Sequence, residues 1–269
     1  MLKLFRRAYA IFKAYFMVEL VRSRGIVYGL LSMAMWIILF TMPIALFSSD
    51  TTELGDVSAR IFTGVIVFMF YGMATWDWAA EIRWMINEGR VDYYIASGAG
   101  FLPHYLGLLP VSLMWLGISL TVNYTVLSLL WAPPKLLLVD PLIFIYGFSM
   151  LLLCLIGYAL ILGGTMLSTG VTGFIIEIVS FILPIATGGL LPLRYMPEPL
   201  KSIALATPFS YPAELIRFSL LGIEPVVGVW RTVVLSLLYV PLFLLIGIIY
   251  FKYQLRRSLR EGFKTISMW

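Results

Sequence analysis

Six stretches of this chain are each apolar over about 20 residues, the length an α-helix needs to cross a bilayer. They run over Ile26–Phe47, Ile61–Ala80, Leu106–Trp131, Pro141–Leu167, Phe174–Leu191 and Val233–Phe251. Inside hydrocarbon a backbone has no water to bond, so a run of this kind closes its own hydrogen bonds as a helix. The fifth run is short, and Val226–Thr232 extends the sixth. Pro43, Pro110, Pro184 and Pro241 lie inside or at the ends of these runs and predict kinks. Composition agrees: 61% of the 269 residues are hydrophobic and 12% charged, where soluble domains carry roughly 25% charged residues. The expectation is an all-α membrane protein with one membrane domain over 26–251 and no room for a soluble catalytic domain.

The net charge of +5 is sorted by side rather than spread for nucleic acid. With the N-terminus inside, one side holds Lys3, Arg6, Arg7, Lys13, Arg22, Arg24, Arg83, Arg90, Lys252, Arg256, Arg257, Arg260 and Lys264. The other holds only Arg60, Lys135, Arg194, Lys201, Arg217 and Arg231, and its first loop, from Ser48 to Asp56, is acidic. The excess of Lys and Arg on cytoplasmic loops then predicts both termini inside. Residues 1–25 are amphipathic: Leu4, Phe5, Ala8, Phe12, Tyr15, Phe16 and Val18–Leu20 face one way, the cations the other. They read as a helix lying at the membrane surface among anionic headgroups. Residues 252–269 form a basic tail. The first apolar run is too long for the core of a cleavable signal peptide and lacks a small-x-small exit. One cysteine, Cys154, excludes an internal disulfide, and one histidine, His104, excludes a histidine-based metal cluster.

Residues 184–222 break the pattern. Pro184, Pro192, Pro197, Pro199, Pro208 and Pro212 each remove a backbone donor and fix φ, which forbids one continuous helix. Yet the stretch is too apolar and aromatic for a solvated loop. It reads as a turn over Leu190–Met196, a short amphipathic helix over Glu198–Ala206 and a second helix over Pro208–Leu221, dipping back into the outer side of the membrane. Glu214 and Arg217 are three apart, on one helical face, at a spacing that allows pairing. Pro192, Pro197, Leu200, Ile203, Pro208, Tyr211, Glu214 and Arg217 make this segment resemble the signature of ABC-2 type transporter permeases, where it lies between the fifth and sixth spans. Thr207 stands where that family usually has Asn. The resemblance implies a dimer of permeases, either two copies or one with a paralogous permease. It also implies a separate ATPase subunit that carries ATP and Mg, and an extracellular gate built from Pro192, Tyr195, Pro197, Pro208, Tyr211, Glu214 and Arg217. It places the protein in a prokaryotic cell membrane.

Nothing in the chain matches the phosphate-cradling loop G-x-x-x-x-G-K-[ST], so nucleotide chemistry by that route belongs to another chain. The chain is expected to be no enzyme and to hold no cofactor itself. The loop 81–100 between spans two and three interleaves Glu81, Arg83, Glu88, Arg90 and Asp92 with Trp84, Tyr93, Tyr94 and Ile95. Aromatic anchors with a charged rim suit docking into a partner's groove. Glu88-Gly89-Arg90-Val91-Asp92 is similar to the family's Glu-x-Gly-Thr-Leu-Glu before its coupling helix, departing at the spacer, at Arg90 and at Ser97-Gly98. The resemblance thus implies ATPase docking through Glu88, Gly89, Arg90, Asp92, Tyr93 and Tyr94. The other reading of the loop is a headgroup-anchored surface helix.

Glu177 is the one acid well inside an expected span. An ionisable group there is costly and points to function: either it lines the translocation path or pairs across a subunit interface, or it reaches back to the near surface. Asp77, between Trp76 and Trp78, reads as interfacial. No direct or inverted repeat is apparent, which weighs against a carrier built from inverted halves. The sequence therefore leads to the permease subunit of an ATP-driven exporter of a lipid-like, drug-like or glycan substrate. A channel, scaffold or ion-coupled carrier is the alternative.

Overall fold

The computed structural model describes residues 2–23, 25–46, 53–96, 101–169, 173–189 and 192–261. Asp50, Ser97, Gly98, Leu190, Leu191 and Lys264 lie outside them. Every regular element among the described residues is helical. In chain order they are α1 Leu2–Tyr15, α2 Gly25–Leu46, α3 Leu54–Gly72, α4 Ala80–Asn87, α5 Arg90–Ala96, α6 Phe101–Leu130, α7 Pro141–Thr169, α8 Gly173–Ala186, α9 Glu198–Leu205, α10 Ser210–Leu221 and α11 Val229–Glu261. Two π-helical stretches, Phe16–Val21 and Met73–Ala79, continue α1 and join α3 to α4.

Among the described residues, four helices are long and apolar enough to cross a membrane: Leu54–Asn87, Phe101–Leu130, Pro141–Leu167 and Val229–Glu261. They cover the second, third, fourth and sixth expected runs, and they fit a multi-pass membrane protein. The first expected run falls on α2. The fifth falls on α8, whose 14 residues rise about 21 Å at 1.5 Å each, less than a hydrocarbon core of about 30 Å. Pro110, Pro184 and Pro241 all sit inside helices.

The chain divides into two compact units, Met1–Phe62 with Arg90–Lys135, and Thr63–Gly89 with Leu136–Trp269. In the first, α1 packs against α6. Gly107 is the reason they come so close: a Cβ there would lie 2.6 Å from the Ala8 carbonyl oxygen and 2.8 Å from Ile11 Cβ. Ala8 is buried, while Phe5 and Tyr9 are exposed. The amphipathic helix thus leans on protein through its small residues and leaves large apolar side chains outward. At the other end of this unit the Lys135 N–H donates to the Gly55 carbonyl at 3.1 Å, and Lys135 pairs with Glu53. That hydrogen bond and charge hold the exposed Glu53 carboxyl below its ordinary pKa and Lys135 above its own. The contact joins two connections that the charge pattern assigns to one side of the membrane.

The second unit is built on α7 and α11, its most extensively packed pair. Gly247 faces Gly157 so closely that a Cβ on it would sit 2.6 Å from the Gly157 carbonyl oxygen. Gly164 in turn lies against Tyr250 and Phe251. Small residues at a helix crossing let backbones approach and gain dispersion where lipid offers no hydrophobic drive. Along α11 the buried residues Thr232, Ser236, Val240, Gly247, Phe251, Gln254 and Ser258 form one continuous stripe. Tyr146 Oη reaches the Val233 carbonyl at 3.0 Å and Ser236 Oγ at 2.9 Å, and Thr165 Oγ1 reaches Tyr250 Oη at 3.1 Å. Polar side chains therefore close this interface at several depths.

Gly247→Ala is expected to destabilise the protein by about 1–3 kcal/mol, the usual cost of overpacking. Gly117→Ala, at a helical site with nothing within 4 Å of the added carbon, is expected to be neutral or to stabilise by up to about 1 kcal/mol. Thermal unfolding of both variants in detergent checks the contrast.

Candidate functional site

The proline-broken stretch folds as two short helices packed into the second unit. Helix α8 ends in a turn: the Thr187 N–H donates to the Leu183 carbonyl at 3.0 Å and the Gly189 N–H to the Pro184 carbonyl at 2.6 Å. Gly188 takes a φ of 76°, open to glycine at little cost. Pro192 then opens a single 3₁₀ turn, Leu193–Tyr195. Pro197, extended at φ −62° and ψ 148°, caps α9, and Pro199 falls in its first turn, where a missing donor costs nothing. Leu193, Met196 and Ala204 bury together. Helix α10 closes at Gly222, in the left-handed region at φ 69°.

Several loose backbone groups among the described residues of this stretch meet specific partners. Thr207 Oγ1 donates to the Ala204 carbonyl at 2.8 Å. Ser210 Oγ lies 2.7 Å from both the Ala204 and the Thr187 carbonyl oxygens. Tyr211 Oη donates to the Leu205 carbonyl. The last carbonyls of α10 are taken by the connection before α7, through the Leu137 N–H to Leu220 at 2.9 Å and the Val139 N–H to Ser219 at 2.7 Å.

At the centre stand Glu214 and Arg217, 5% and 1% exposed, with Arg217 Nη1 3.6 Å from Glu214 Oε1. The spacing of three brings them together as the sequence suggested. Each also reaches outward to main chain. Glu214 Oε1 accepts the Leu193 N–H at 3.2 Å, and Oε2 accepts the Val226 N–H at 3.4 Å. Arg217 Nη2 donates to the Gly189 carbonyl at 2.6 Å. One ion pair thus ties the end of α8, the turn before α9 and the entry to α11 onto α10. Arginine suits a buried ion pair because its guanidinium keeps its charge and presents several donors in a fixed plane.

A buried aromatic group lies beneath. Phe209 packs on Tyr71, Tyr158 and Phe243 with centroids 5.7, 6.0 and 5.3 Å away. Tyr71 Oη meets Thr187 Oγ1 at 2.7 Å, and Tyr158 Oη meets Thr75 Oγ1 at 2.9 Å. Thr75 sits in the π-helical stretch Met73–Ala79, a feature common at functional sites. None of Tyr71, Thr75, Tyr158 or Thr187 stood out in the sequence. The only trace was polar residues scattered among apolar ones.

The other expected gate residues separate by exposure. Tyr195 and Pro197 are exposed, Pro192 and Pro208 half-buried, and Tyr211 buried beside Tyr239. The expected docking residues fall on both units, with the boundary between Gly89 and Arg90. In the second unit Glu88 and Gly89 are exposed, Gly89 at φ 66°. In the first unit Asp92 and Tyr93 are exposed. Arg90 Nη1 lies 3.5 Å from Tyr15 Oη. Tyr94 bonds His104 Nδ1 at 2.8 Å and stacks on Phe101, so its ring serves its own unit. Glu177 is exposed on α8 beside Ile178, Phe181, Ile182 and Ile185. Its carbonyl, not its carboxylate, accepts Ser180 Oγ at 2.7 Å.

Taken together, the fold is helical and fits a multi-pass membrane protein, with a clamped pair of short helices before α11. No protein-family model and no curated protein matches this sequence. The likeness of 184–222 to the permease signature therefore stands on its own residues.

Removing one member of a buried ion pair typically costs about 3–5 kcal/mol, so Glu214→Gln and Arg217→Met are each expected to destabilise strongly. The double variant is expected to cost less than the two single losses added, because it leaves no charge stranded. A double-mutant cycle read by thermal unfolding checks this.

Proposed function

We propose that this chain is the membrane permease subunit of an ATP-driven exporter of the ABC-2 type, with six spans that include α2 and α8 and with both termini cytoplasmic. One observation carries the reading. Several of the positions that resemble the family signature help to build the clamped segment. Pro197 caps α9, Tyr211 closes its end, and Glu214 with Arg217 bind three separate backbone segments. A segment that irregular is tolerated at membrane depth only where protein satisfies it, and these residues do so. It suits a re-entrant gate on the outer side of a transport path.

The work of ATP and Mg then belongs to a separate ATPase subunit. Its contact is through the connection after α4, where Glu88, Asp92 and Tyr93 present exposed side chains. Gly89 makes the turn, and Arg90 and Tyr94 position α5 from within. A second permease, identical or paralogous, completes the pathway, and Glu177 lies on the path or at that interface. The substrate is lipid-like, drug-like or a glycan, and the setting is a prokaryotic cell membrane.

An aromatic hot spot buried in an interface typically costs about 2 kcal/mol or more when cut to alanine, about 30-fold in affinity. Tyr93→Ala combined with Asp92→Lys is expected to lose the co-expressed ATPase on co-purification while its own melting stays unchanged. Tyr94→Ala is expected to lower the melting temperature instead. Full ATPase retention by the Tyr93/Asp92 variant, or transport driven by an ion gradient with no ATPase present, would contradict the proposal.

A further inference from the structure

Helix α11 is longer than a membrane is thick. Its 33 residues extend about 50 Å, against a hydrocarbon core of about 30 Å. Exposed Trp230 and Tyr253 sit near the two depths where aromatic belts form, and the helix runs on past Tyr253 to Glu261. This overhang has a fixed rotation. Gly247, Phe251, Gln254 and Ser258 are all buried, and Ser258 Oγ donates to the Leu167 carbonyl, near the end of α7, at 2.9 Å.

At about 100° per residue, Lys252, Arg256 and Arg260 stand in one row on the side opposite that buried stripe. All three are exposed, and none has an ion pair among the described residues. Their neighbour Arg257 is already neutralised, its Nε 3.1 and 3.0 Å from the Glu261 carboxylate oxygens. The same side of α11 continues as exposed Leu238, Leu242, Leu245 and Ile249. From Leu238 to Ile249 the helix rises about 17 Å, close to the roughly 15 Å of one leaflet's hydrocarbon. A shallow apolar depression of about 320 Å³, lined by Ile246, Ile249, Tyr250 and Tyr253, lies where stripe and row meet.

We propose that this face of α11 binds an anionic phospholipid, with acyl chains along the leucine stripe and the phosphate on Lys252 and Arg256. The complementarity is specific in both halves. A leaflet-long apolar stripe calls for acyl chains, and three unneutralised cations at its end call for a negative headgroup. A soluble acidic protein would satisfy the row and leave the stripe unmatched. The site does not depend on the exporter reading.

The test places the photoreactive residue p-benzoylphenylalanine at Tyr253 in the full chain, reconstituted in vesicles of equal phosphatidylglycerol and phosphatidylcholine. Mass spectrometry after illumination is expected to find phosphatidylglycerol adducts in excess by at least about five-fold, the preference one cation confers at an anionic surface. The excess is expected to fall to near parity in K252Q/R256Q/R260Q and to persist in R257Q. Parity with the row intact, an excess unchanged in the triple variant, or an equal loss in R257Q would overturn the site.

Discussion

The buried pair Glu214–Arg217 is the interaction on which the irregular part of this protein depends. Charges taken out of water are costly, and hydrogen bonds to the pair's other lone pairs and protons offset part of that cost. Here the carboxylate accepts two backbone N–H groups and the guanidinium donates through Nη2 to a backbone carbonyl, while Nη1 faces the carboxylate at 3.6 Å with no hydrogen-bond partner among the described residues. These backbone groups belong to stretches where prolines or turns have removed the helical partner. The pair therefore supplies to the broken backbone what a continuous helix would have supplied to itself. Ser210, Thr207 and Tyr211 do the same for the end of α9 with neutral hydroxyls.

This clamp sits on a platform of a different kind. Helices α7 and α11 hold together through missing side chains, above all where Gly157 and Gly247 bring two backbones into contact. Polar closure in the clamp and backbone contact between α7 and α11 hold the second unit together without a soluble protein's hydrophobic drive.

How much of this was legible in the sequence follows from the range of each signal. Apolar runs announced the long helices because the bilayer sets their length. The prolines at 197 and 199 announced α9, and the spacing of Glu214 and Arg217 announced their pairing, because both are local. What stayed hidden was contact between residues distant in the chain. Nothing near Tyr94 showed that His104 would take its hydroxyl, leaving Tyr93 as the outward ring. Nothing near Leu137 showed that it would bond the end of α10, and the apolar run around Met73–Ala79 gave no hint of its π-helical turn. Nor did anything near Tyr211 show that its ring would lie beside Tyr239.

The central claim is that residues 192–222 form a folded, clamped unit rather than a solvated loop. Hydrogen–deuterium exchange on the protein in lipid nanodiscs tests it most directly, because exchange reads local opening. The account predicts that amides of α10 exchange as slowly as those of α7 and α11, and that α9 is only moderately faster. Rapid exchange across the whole of 192–222, at the rate of an unstructured peptide, would contradict it.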